Sequence, residues 1–206
     1  VASLSFRDER IRLTDKDLNA GGVVAQGDVT LARGFPSSAD LTFSARPGAF
    51  LRAGSLDGRI RLTDGDASES AVLSVNGRNV ILTGSDLTIR TLRLEGAGSL
   101  SRLPFNASVD IGGATPVQFE GEGIYARNGD AQTVTLTGSG RAREIAFTTR
   151  KPVILALAED GRVVRADLTV GGGVLIGEYR ADARATFMQA DLTGVELGSL
   201  APNLRG

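Results

Sequence analysis

The sequence contains no cysteine and no histidine among its 206 residues. Their absence excludes disulfide bonds, thiolate nucleophiles, catalytic pairs of serine or cysteine with histidine, and the ligands that most often hold zinc, copper or haem. A serine nucleophile would need Lys16 or Lys151 as its base, and neither lysine follows a recognisable serine motif. We therefore expect a protein that is not an enzyme, with no catalytic residues, no cofactor and no metal site.

An excess of charge of one sign is also missing. The chain has 23 basic and 24 acidic residues, and its formal net charge is -1. A nucleic-acid-binding surface needs a cluster of lysine and arginine on one face. We expect no nucleic-acid partner.

Long hydrophobic runs are absent. The longest uninterrupted apolar run extends from Val153 to Ala158, whereas a helix that crosses a bilayer needs about 20 apolar residues. The first residues, VASLSFRDER, lack the charged start and long apolar region of a signal peptide. Since the chain begins abruptly on a strand-like pattern and ends at Leu204-Arg205-Gly206, we expect it to be a fragment of a longer protein.

Alternation of apolar and polar residues runs through the whole chain, for example at Phe105, Ala107, Val109 and Ile111. Period two is the pattern of a half-buried β-strand. At about one strand per 12 residues, the chain would hold roughly 17 strands. Because the composition hardly changes and no linker interrupts the pattern, the sequence predicts an all-β fold made of one repetitive segment, residues 1–206.

Turn-forming residues separate the alternating segments. Asn-Gly and Asp-Gly pairs favour the positive backbone dihedrals of tight hairpins, so we expect many strands to be joined by hairpins. The predicted turns lie at Gly21-Gly22, Gly34, Gly48, Gly65, Asn76-Gly77, Asn128-Gly129, Asp160-Gly161 and Gly171-Gly172-Gly173.

The alternation changes phase inside DLTIRTLRLEG (86–96), between Ile89 and Leu92. A β-bulge near Arg90-Thr91 would return both residues to one face and would bend the strand. The candidate for a helix is residues 197–204, where three leucines have helical spacing and a proline limits the length to a turn or two.

Short sequences recur along the chain. RIRLTDKD occurs at 10–17 and RIRLTDGD at 59–66, and ADLT occurs at 39–42, 166–169 and 190–193. Catalytic machinery seldom has to be duplicated so closely, whereas a scaffold of similar stacked units repeats such patterns routinely. The repeats favour an architectural protein.

Paired carboxylates are the first candidates for chemistry. Two carboxylates on one side of a strand can bind calcium or perform acid/base catalysis. No loop has the D-x-[DN]-x-[DN]-G spacing of a calcium hand, and the aspartate pairs lie in turn-like contexts where aspartate bonds its own backbone. We predict a structural or solvated role for the three pairs, which are Asp15 and Asp17, Asp64 and Asp66, and Glu120 and Glu122.

Three G-x-G triplets, at 96–98, 121–123 and 138–140, are the second candidates. A phosphate-binding loop needs a helix after it, so that the amide groups and the helix dipole meet the anion. None of the triplets leads into a helical pattern. We predict that these glycines mark bulges, bends or turn exits.

The apolar face of the predicted strands remains as a candidate site. It is aliphatic, since the chain has eight Phe, two Tyr and no Trp. A sandwich, a closed barrel or a β-helix would bury this face against itself, whereas an open curved sheet would leave it as a groove. The predicted lining residues of such a groove include Ile60, Leu62, Leu73, Val75, Leu82, Ile89, Val109, Ile111, Phe119, Leu136, Phe147 and Leu155.

Three phrases carry a resemblance to a known family: RIRLTDGD (59–66), NVILTGSDLTIRTLRLEGAGSL (79–100) and ADLTGVELGSLAPNLRG (190–206). Together with the alternation along the whole chain, they resemble the repetitive β region of the TamB family, which is related to the AsmA-like bridge proteins of Gram-negative envelopes. The most specific phrase is the last one, in which a strand leads into a brief leucine-rich segment, a proline and a glycine. The N-terminal anchor helix and the C-terminal partner-binding end of that family are not recognisable here.

The resemblance implies an elongated, curved, taco-like β-sheet with an apolar concave face, in a periplasmic protein that is anchored to the inner membrane. It implies a role in lipid transport between the two membranes. With an outer-membrane barrel as partner, it also implies a role in outer-membrane biogenesis and protein secretion. It carries over no catalytic residues.

We therefore predict a non-enzymatic bridge segment whose groove carries phospholipid acyl chains. Two alternatives remain open from the sequence. A surface adhesin or passenger-like β-helix would use the same residues as a closed dry core and would show parallel stacking of its strands. A polysaccharide-processing β-helix enzyme would need carboxylates such as Asp64 and Asp66 on one outer face.

Overall fold

The computed structural model describes residues 10–13, 21–32, 35–65, 68–99, 101–128, 131–158, 161–182 and 184–195. These residues form 13 strands and no helix, which confirms the all-β prediction. The strands belong to two compact units, Val1–Leu100 and Ser101–Gly206. The sequence shows no change of composition at this boundary, and the single repetitive segment stays a prediction.

Unit 1 holds six strands that pair in chain order, each antiparallel to the next. Alternating aliphatic residues form these strands because one side of each can be withdrawn from water while the other stays solvated. The strands are β1 (Arg10–Leu13), β2 (Val23–Ala32), β3 (Phe35–Ala45), β4 (Leu51–Gly65), β5 (Ser68–Leu82) and β6 (Thr88–Gly98).

Unit 2 holds seven strands with the same in-order antiparallel pairing. They are β7 (Arg102–Gly112), β8 (Val117–Asn128), β9 (Ala131–Ala142), β10 (Ile145–Ala158), β11 (Gly161–Val170), β12 (Gly173–Asp182) and β13 (Thr186–Thr193).

The sheet in each unit is open. The recorded strand pairs join consecutive strands, and within the described part of either unit no second layer of sheet lies on the strands. Since the pairing is antiparallel throughout, the described strands do not form the parallel stack of a β-helix. A closed barrel would need the first and last strands of a unit to pair, and a sandwich would need a second sheet on the first. Neither is present among the described residues of either unit.

The described strands are fewer and longer than the roughly 17 expected. The predicted turn at Asn76-Gly77 is wrong, because both residues lie inside β5, opposite Asp57 and Leu56 of β4. A Cβ on Gly77 would be 3.2 Å from side-chain atoms of Leu56, Val80 and Leu92. Glycine is therefore at this position to relieve crowding between strands, and not to turn the chain.

Several predicted hairpin turns are confirmed. Gly171 and Gly172 have φ angles of 53° and 85°, and the pair Val170 and Gly173 closes the hairpin between β11 and β12. Positive φ at both central residues is the type I′ geometry that matches strand twist. Residues 129–130 and 159–160 separate two more antiparallel pairs. The predicted turn at Gly34 lies outside the described residues.

The phase change between Ile89 and Leu92 lies at the predicted position, since Arg90 and Thr91 are two successive exposed residues of β6. Strands β5 and β6 stay paired one to one through this region, with Val80 opposite Ile89. The register shifts instead between β4 and β5, next to Asn79, whose φ is 50°. A left-handed residue of this kind reverses the alternation, which brings Val80 to the side of Leu56.

The buried core of the described residues is small and lies in unit 1. Ala45, Leu51 and Val80 are its buried members. No described side chain is less than 2% exposed, as expected for a sheet that lacks a second layer. The partly buried hydrophobic residues around this cluster are Val23, Leu56 and Ile89.

Some sequence-based predictions fall on residues that the structure does not describe. The helical turn at 197–204, the pair Asp15 and Asp17, and Asp66 lie outside the described residues. Asp64 is the penultimate residue of β4, and the structure describes its backbone but not its side chain.

Candidate functional site

One face of unit 1 is apolar across β2 to β6. Residues directly opposite each other in an antiparallel pair point to the same face of the sheet, so the register assigns each side chain to a face. Four neighbouring cross-strand rows contain aliphatic residues, alanine, glycine and one phenylalanine. The rows are Val23, Ala45, Leu56, Gly77 and Leu92; Ala25, Phe43, Gly58, Val75 and Leu94; Gly27, Leu41, Ile60, Leu73 and Gly96; and Val29, Ala39, Leu62, Ala71 and Gly98.

Unit 2 has an apolar face of the same kind. Its cross-strand rows again hold aliphatic residues and glycines, with more aromatic side chains than in unit 1. The main rows are Val109, Phe119, Gly140, Phe147, Val170 and Gly173; Leu103, Tyr125, Val134, Leu155, Val164, Tyr179 and Met188; and Phe105, Gly123, Leu136 and Val153.

All twelve predicted lining residues lie on these two apolar faces, six in each unit. Ile60 is directly opposite Leu73, and Phe119 and Phe147 flank Gly140. Eleven of the twelve are half-buried. The exception is Leu82 at the end of β5, which is 47% exposed.

The opposite face of unit 1 carries charges. Arg59 Nε and Nη2 lie 2.9 and 2.8 Å from the two carboxylate oxygens of Asp40, and Arg61 Nη2 lies 3.1 Å from Oδ2. The hydrogen bonds from Arg59 lower the pKa of Asp40 from its ordinary value. The charged side chains of this face therefore keep one side of the sheet hydrated.

The opposite face of unit 2 is charged as well. Asp167 on β11 is buried beside Arg150 Nη1 at 3.2 Å and Lys151 Nζ at 3.3 Å. The contact of Arg150 is an ion pair without hydrogen-bond geometry. On β12, a hydrogen bond from Arg180 lowers the pKa of Glu178.

Phenylalanine rings on the apolar faces lie over glycines of neighbouring strands. A Cβ on Gly58 would meet the Phe43 ring at 2.4 Å, and a Cβ on Gly123 would meet the Phe105 ring at 2.4 Å. The rings of Phe119 and Phe147 stack with their centroids 6.3 Å apart and 6° between their planes. Each ring covers backbone that the glycine would otherwise leave exposed. The ring thus fills the space in which a side chain of the neighbouring strand would lie.

The G-x-G triplets belong to this arrangement. They lie within β6, β8 and β9, and their glycines are on the apolar faces, where Gly121 pairs with Gly138. None of them precedes a helix, as the sequence predicted. The glycines of the second and third triplets allow close packing of rings and backbone, and Gly138 also lies opposite a bulge in β10, as the sequence predicted for such glycines.

The remaining candidates for chemistry do not converge. Glu120 and Glu122 lie on the charged side of β8, opposite Ser108 and Asn106. Among the described residues no group of three or more acidic, cysteine or histidine side chains could hold a metal ion. In the same residues no helix has the length and apolarity to span a membrane.

Sequence reasoning missed part of the apolar faces. Leu41 and Phe43 of β3 lie in the same rows as Ile60 and Gly58, and their alternation was visible in the sequence. The glycines were missed because their face depends on the register of strands that are far apart in sequence. The wide apolar faces are thus the feature of the fold that offers a site, and comparison with family models, curated proteins and solved structures finds no match to this chain.

Proposed function

We propose that this chain is a non-enzymatic segment of a periplasmic bridge protein, anchored to the inner membrane through other parts of the full-length chain. In this proposal the sheet curves into a groove whose concave side is apolar. The groove carries the acyl chains of phospholipids between the inner and outer membranes. An outer-membrane barrel partner, contacted by other parts of the full-length protein, would link this transport to the assembly of outer-membrane proteins.

The observation that carries the proposal is the run of apolar rows across β2 to β6. Four adjacent rows without a charged side chain form a contiguous apolar surface, and no second layer formed by the described residues of the unit covers it. Soluble proteins rarely leave a large contiguous apolar surface exposed, and such surfaces mark binding sites for apolar partners.

A fatty acyl chain is a suitable occupant on energetic grounds. At about 0.8 kcal/mol per methylene, exposure of a 16-carbon chain to water costs roughly 13 kcal/mol. An aliphatic surface removes most of this cost. The rows hold no charged side chain that would fix a head group or another polar part of a ligand in one place, so a chain can slide along the surface.

The antiparallel pairing of consecutive strands favours this proposal over the alternatives. An adhesin-like or enzyme-bearing β-helix requires parallel coils around a closed core, and the described strands pair antiparallel in open sheets. The carboxylates that a polysaccharide-processing enzyme would need are Asp64 and Asp66, of which the structure describes no side chain.

The proposal predicts that arginines on the apolar face abolish lipid binding. Val109 and Ile111 of β7 are half-buried on the apolar face of unit 2, and Val109→Arg with Ile111→Arg would place two charges where an acyl chain lies. We expect the double variant to lose bound phospholipid, measured by mass spectrometry of lipid extracted from the purified protein. Transfer of a fluorescent 16-carbon phospholipid from vesicles should fall in parallel.

A control on the same strand separates the face from the added charge. Asn106→Arg with Ser108→Arg introduces the same two arginines on the opposite, exposed side of β7, and it should keep lipid binding. Far-UV circular dichroism establishes that both variants retain their β content. Lipid binding and transfer that survive in the folded Val109 and Ile111 variant would refute the proposal.

A further inference from the structure

The repeated octapeptide and the repeated ADLT meet in the sheet of unit 1. The residues Arg59 to Leu62 of β4 pair antiparallel with Ala39 to Thr42 of β3. Each residue of RIRL thus has a fixed partner: Leu62 faces Ala39, Arg61 faces Asp40, Ile60 faces Leu41 and Arg59 faces Thr42. The aspartate accepts hydrogen bonds from both arginines, and the aliphatic pairs lie on the apolar face.

The same pairing occurs a second time with the other octapeptide. Strand β1 carries RIRL at 10–13, and its partner on β2 is GDVT at 27–30. Leu13 faces Gly27, Arg12 faces Asp28, Ile11 faces Val29 and Arg10 faces Thr30. A four-residue sequence of the form small-Asp-aliphatic-Thr is therefore matched with RIRL in one register at both places.

Strand β13 carries a further copy, ADLT at 190–193, at an edge of the sheet. Among the described residues β13 pairs with β12 alone, and there Asp191 faces Ile176. The Asp191 carboxylate accepts a hydrogen bond from Gln189 Nε2 of the same strand, at 3.1 Å. No described arginine or lysine forms an ion pair with Asp191.

The edge of β13 that points away from β12 corresponds to the edge of β3 at which RIRL of β4 pairs with ADLT in unit 1. In a strand of L-residues, the face to which a side chain points fixes the edge to which its own N–H and C=O point. Arg46 N–H donates to Gly22 O, and hydrogen-bonded pairs recur at every second position, so the backbone groups of Asp40 point to β2. The RIRL strand lies on its other side.

The hydrogen-bonded pairs between β12 and β13 can be counted in the same way. Asp182 N–H donates to Ala185 O at 3.0 Å, which makes Asp191 and Ile176 a hydrogen-bonded pair three steps along the hairpin. The backbone groups of Asp191 therefore point to β12, as those of Asp40 point to β2. The N–H groups of Met188, Ala190 and Leu192 point to the free edge.

We propose that the edge of β13 binds an antiparallel partner strand of the form Arg-aliphatic-Arg-aliphatic, with its second arginine opposite Asp191. The partner adds one strand to the sheet, its backbone bonds the edge amides, and its aliphatic residues extend the apolar face beyond Leu192. The surface of β13 fits such a partner. Phe187, Met188 and Leu192 are 51%, 77% and 43% exposed, and β13 lacks the lysine, proline or bulge that usually protects a free edge.

The copy of ADLT at 166–169 shows what happens when another strand occupies this edge. Asp167 faces Ile176 of β12 there, and it takes its ion pairs from Arg150 and Lys151 on the β10 side. Asp40 and Asp167 thus each form ion pairs with cationic side chains from a neighbouring strand. Asp191 is the copy whose cationic neighbour a partner strand would supply.

The test uses a fluorescein-labelled peptide of residues 56–65, which contains RIRL, titrated with the whole protein and followed by fluorescence anisotropy. We expect saturable binding that weakens about tenfold with Asp191→Lys, since an opposite-charge pair becomes a like-charge pair. Glu120→Lys makes the same change of charge on the interior strand β8 and should leave the affinity unchanged. A peptide with Arg61→Asp should bind poorly to the unmodified protein and recover its affinity with Asp191→Arg.

Hydrogen exchange locates the bound peptide. Binding should slow exchange of the amides of Met188, Ala190 and Leu192, which point to the free edge. Equal affinity for the protein and its Asp191→Lys variant would overturn the proposal. So would protection that appears on strands other than β13, or light scattering that shows a dimer of this chain in which the β13 amides are already protected without the peptide.

Discussion

Gly138, in the middle of β9, has no room for a side chain. A Cβ at this position would be 2.3 Å from the carbonyl oxygen of Glu120 and 2.7 Å from both the Cα of Gly121 and the Phe119 ring. The two backbones and the ring approach so closely because glycine faces glycine across the strand pair. The stacking of Phe119 on Phe147 depends on this close approach.

The change Gly138→Ala should therefore lower the free energy of unfolding, by about 1–3 kcal/mol, because backbone atoms must shift to admit the methyl group. Urea unfolding monitored by circular dichroism measures the loss. Gly177→Ala on β12 is the matched control, since the nearest atom to its Cβ is the Gln189 carbonyl oxygen at 3.8 Å. That variant should be neutral or more stable by up to about 1 kcal/mol. Equal losses for the two variants would contradict this account.

At the residue scale, the sequence predicts which positions are apolar but not which glycines they meet. Phe43 lies over Gly58 because β3 and β4 pair in one register, and register depends on turn length and on contacts between distant residues. The alternation of each strand is a local property, and it could therefore be predicted from the sequence.

At the scale of elements, Thr149 holds β10 to β9 where the ladder between them is interrupted. The register shifts between Thr148 and Val153. Within this gap the Thr149 hydroxyl accepts a hydrogen bond from Gly138 N–H at 3.0 Å and donates one to Gly138 C=O at 3.3 Å. Pro152, which cannot donate to a ladder, lies in the same bulge.

Replacing Thr149 by valine keeps the shape of the side chain and removes both hydrogen bonds. We expect a loss of about 1–3 kcal/mol in the free energy of unfolding, because two partly buried backbone groups lose their partner. Exchange of the Gly138 amide hydrogen should accelerate. Thr148→Val, an exposed threonine one position earlier, should change stability by less than about 0.5 kcal/mol. An unchanged Gly138 amide in Thr149→Val would show that the hydroxyl does not hold the strands together.

The two irregular strands explain which bulges the sequence can reveal. The left-handed residue Asn79 of β5 lies beside the stretch of β6 that changes phase, and this change was visible in the sequence between Ile89 and Leu92. In β10, Val153 is six positions after Phe147, while their partners Gly140 and Leu136 are four positions apart. Because two extra residues preserve a period of two, the alternation has the same phase on both sides of this bulge, and the sequence pattern does not reveal it.

At the scale of the whole molecule, several carboxylates make the fold sensitive to acid. Hydrogen bonds from Arg59, from Arg180 and from the backbone N–H of Arg184 lower the pKa values of Asp40, Glu178 and Asp182, respectively. Near pH 4 the unfolded chain therefore binds more protons than the native protein. The stabilisation is fully present above the unfolded pKa values of about 4 and is lost as the pH falls through the lower native values.

The urea midpoint should accordingly fall between pH 5 and pH 3. From pH 5 to pH 8 it should stay level, since the chain has no histidine to titrate in that range. Asp40→Asn and Asp182→Asn, combined, should reduce the drop at low pH. Each exposed group contributes little, so the combination is the informative variant. A midpoint that rises on acidification, or an equal drop in the variant, would contradict the assignment.

The general architecture was predictable, while its openness was not. Period-two alternation predicts strands with one apolar side, and the turn residues predict hairpins, because both signals lie within a few neighbouring residues. Whether a second layer covers the apolar side depends on contacts between distant segments of similar composition. The division at Leu100 and Ser101 has no signature in composition for the same reason.

The strictly sequential pairing also bears on how the molecule assembles. Each recorded partner strand is the next one along the chain, so each step of folding closes a short loop at small entropic cost. A polypeptide that is delivered from its N-terminus can add its strands one by one, and every strand then finds its template already in place. Growth of this kind needs no distant segment to arrive first, which limits the time that newly delivered strands remain unpaired.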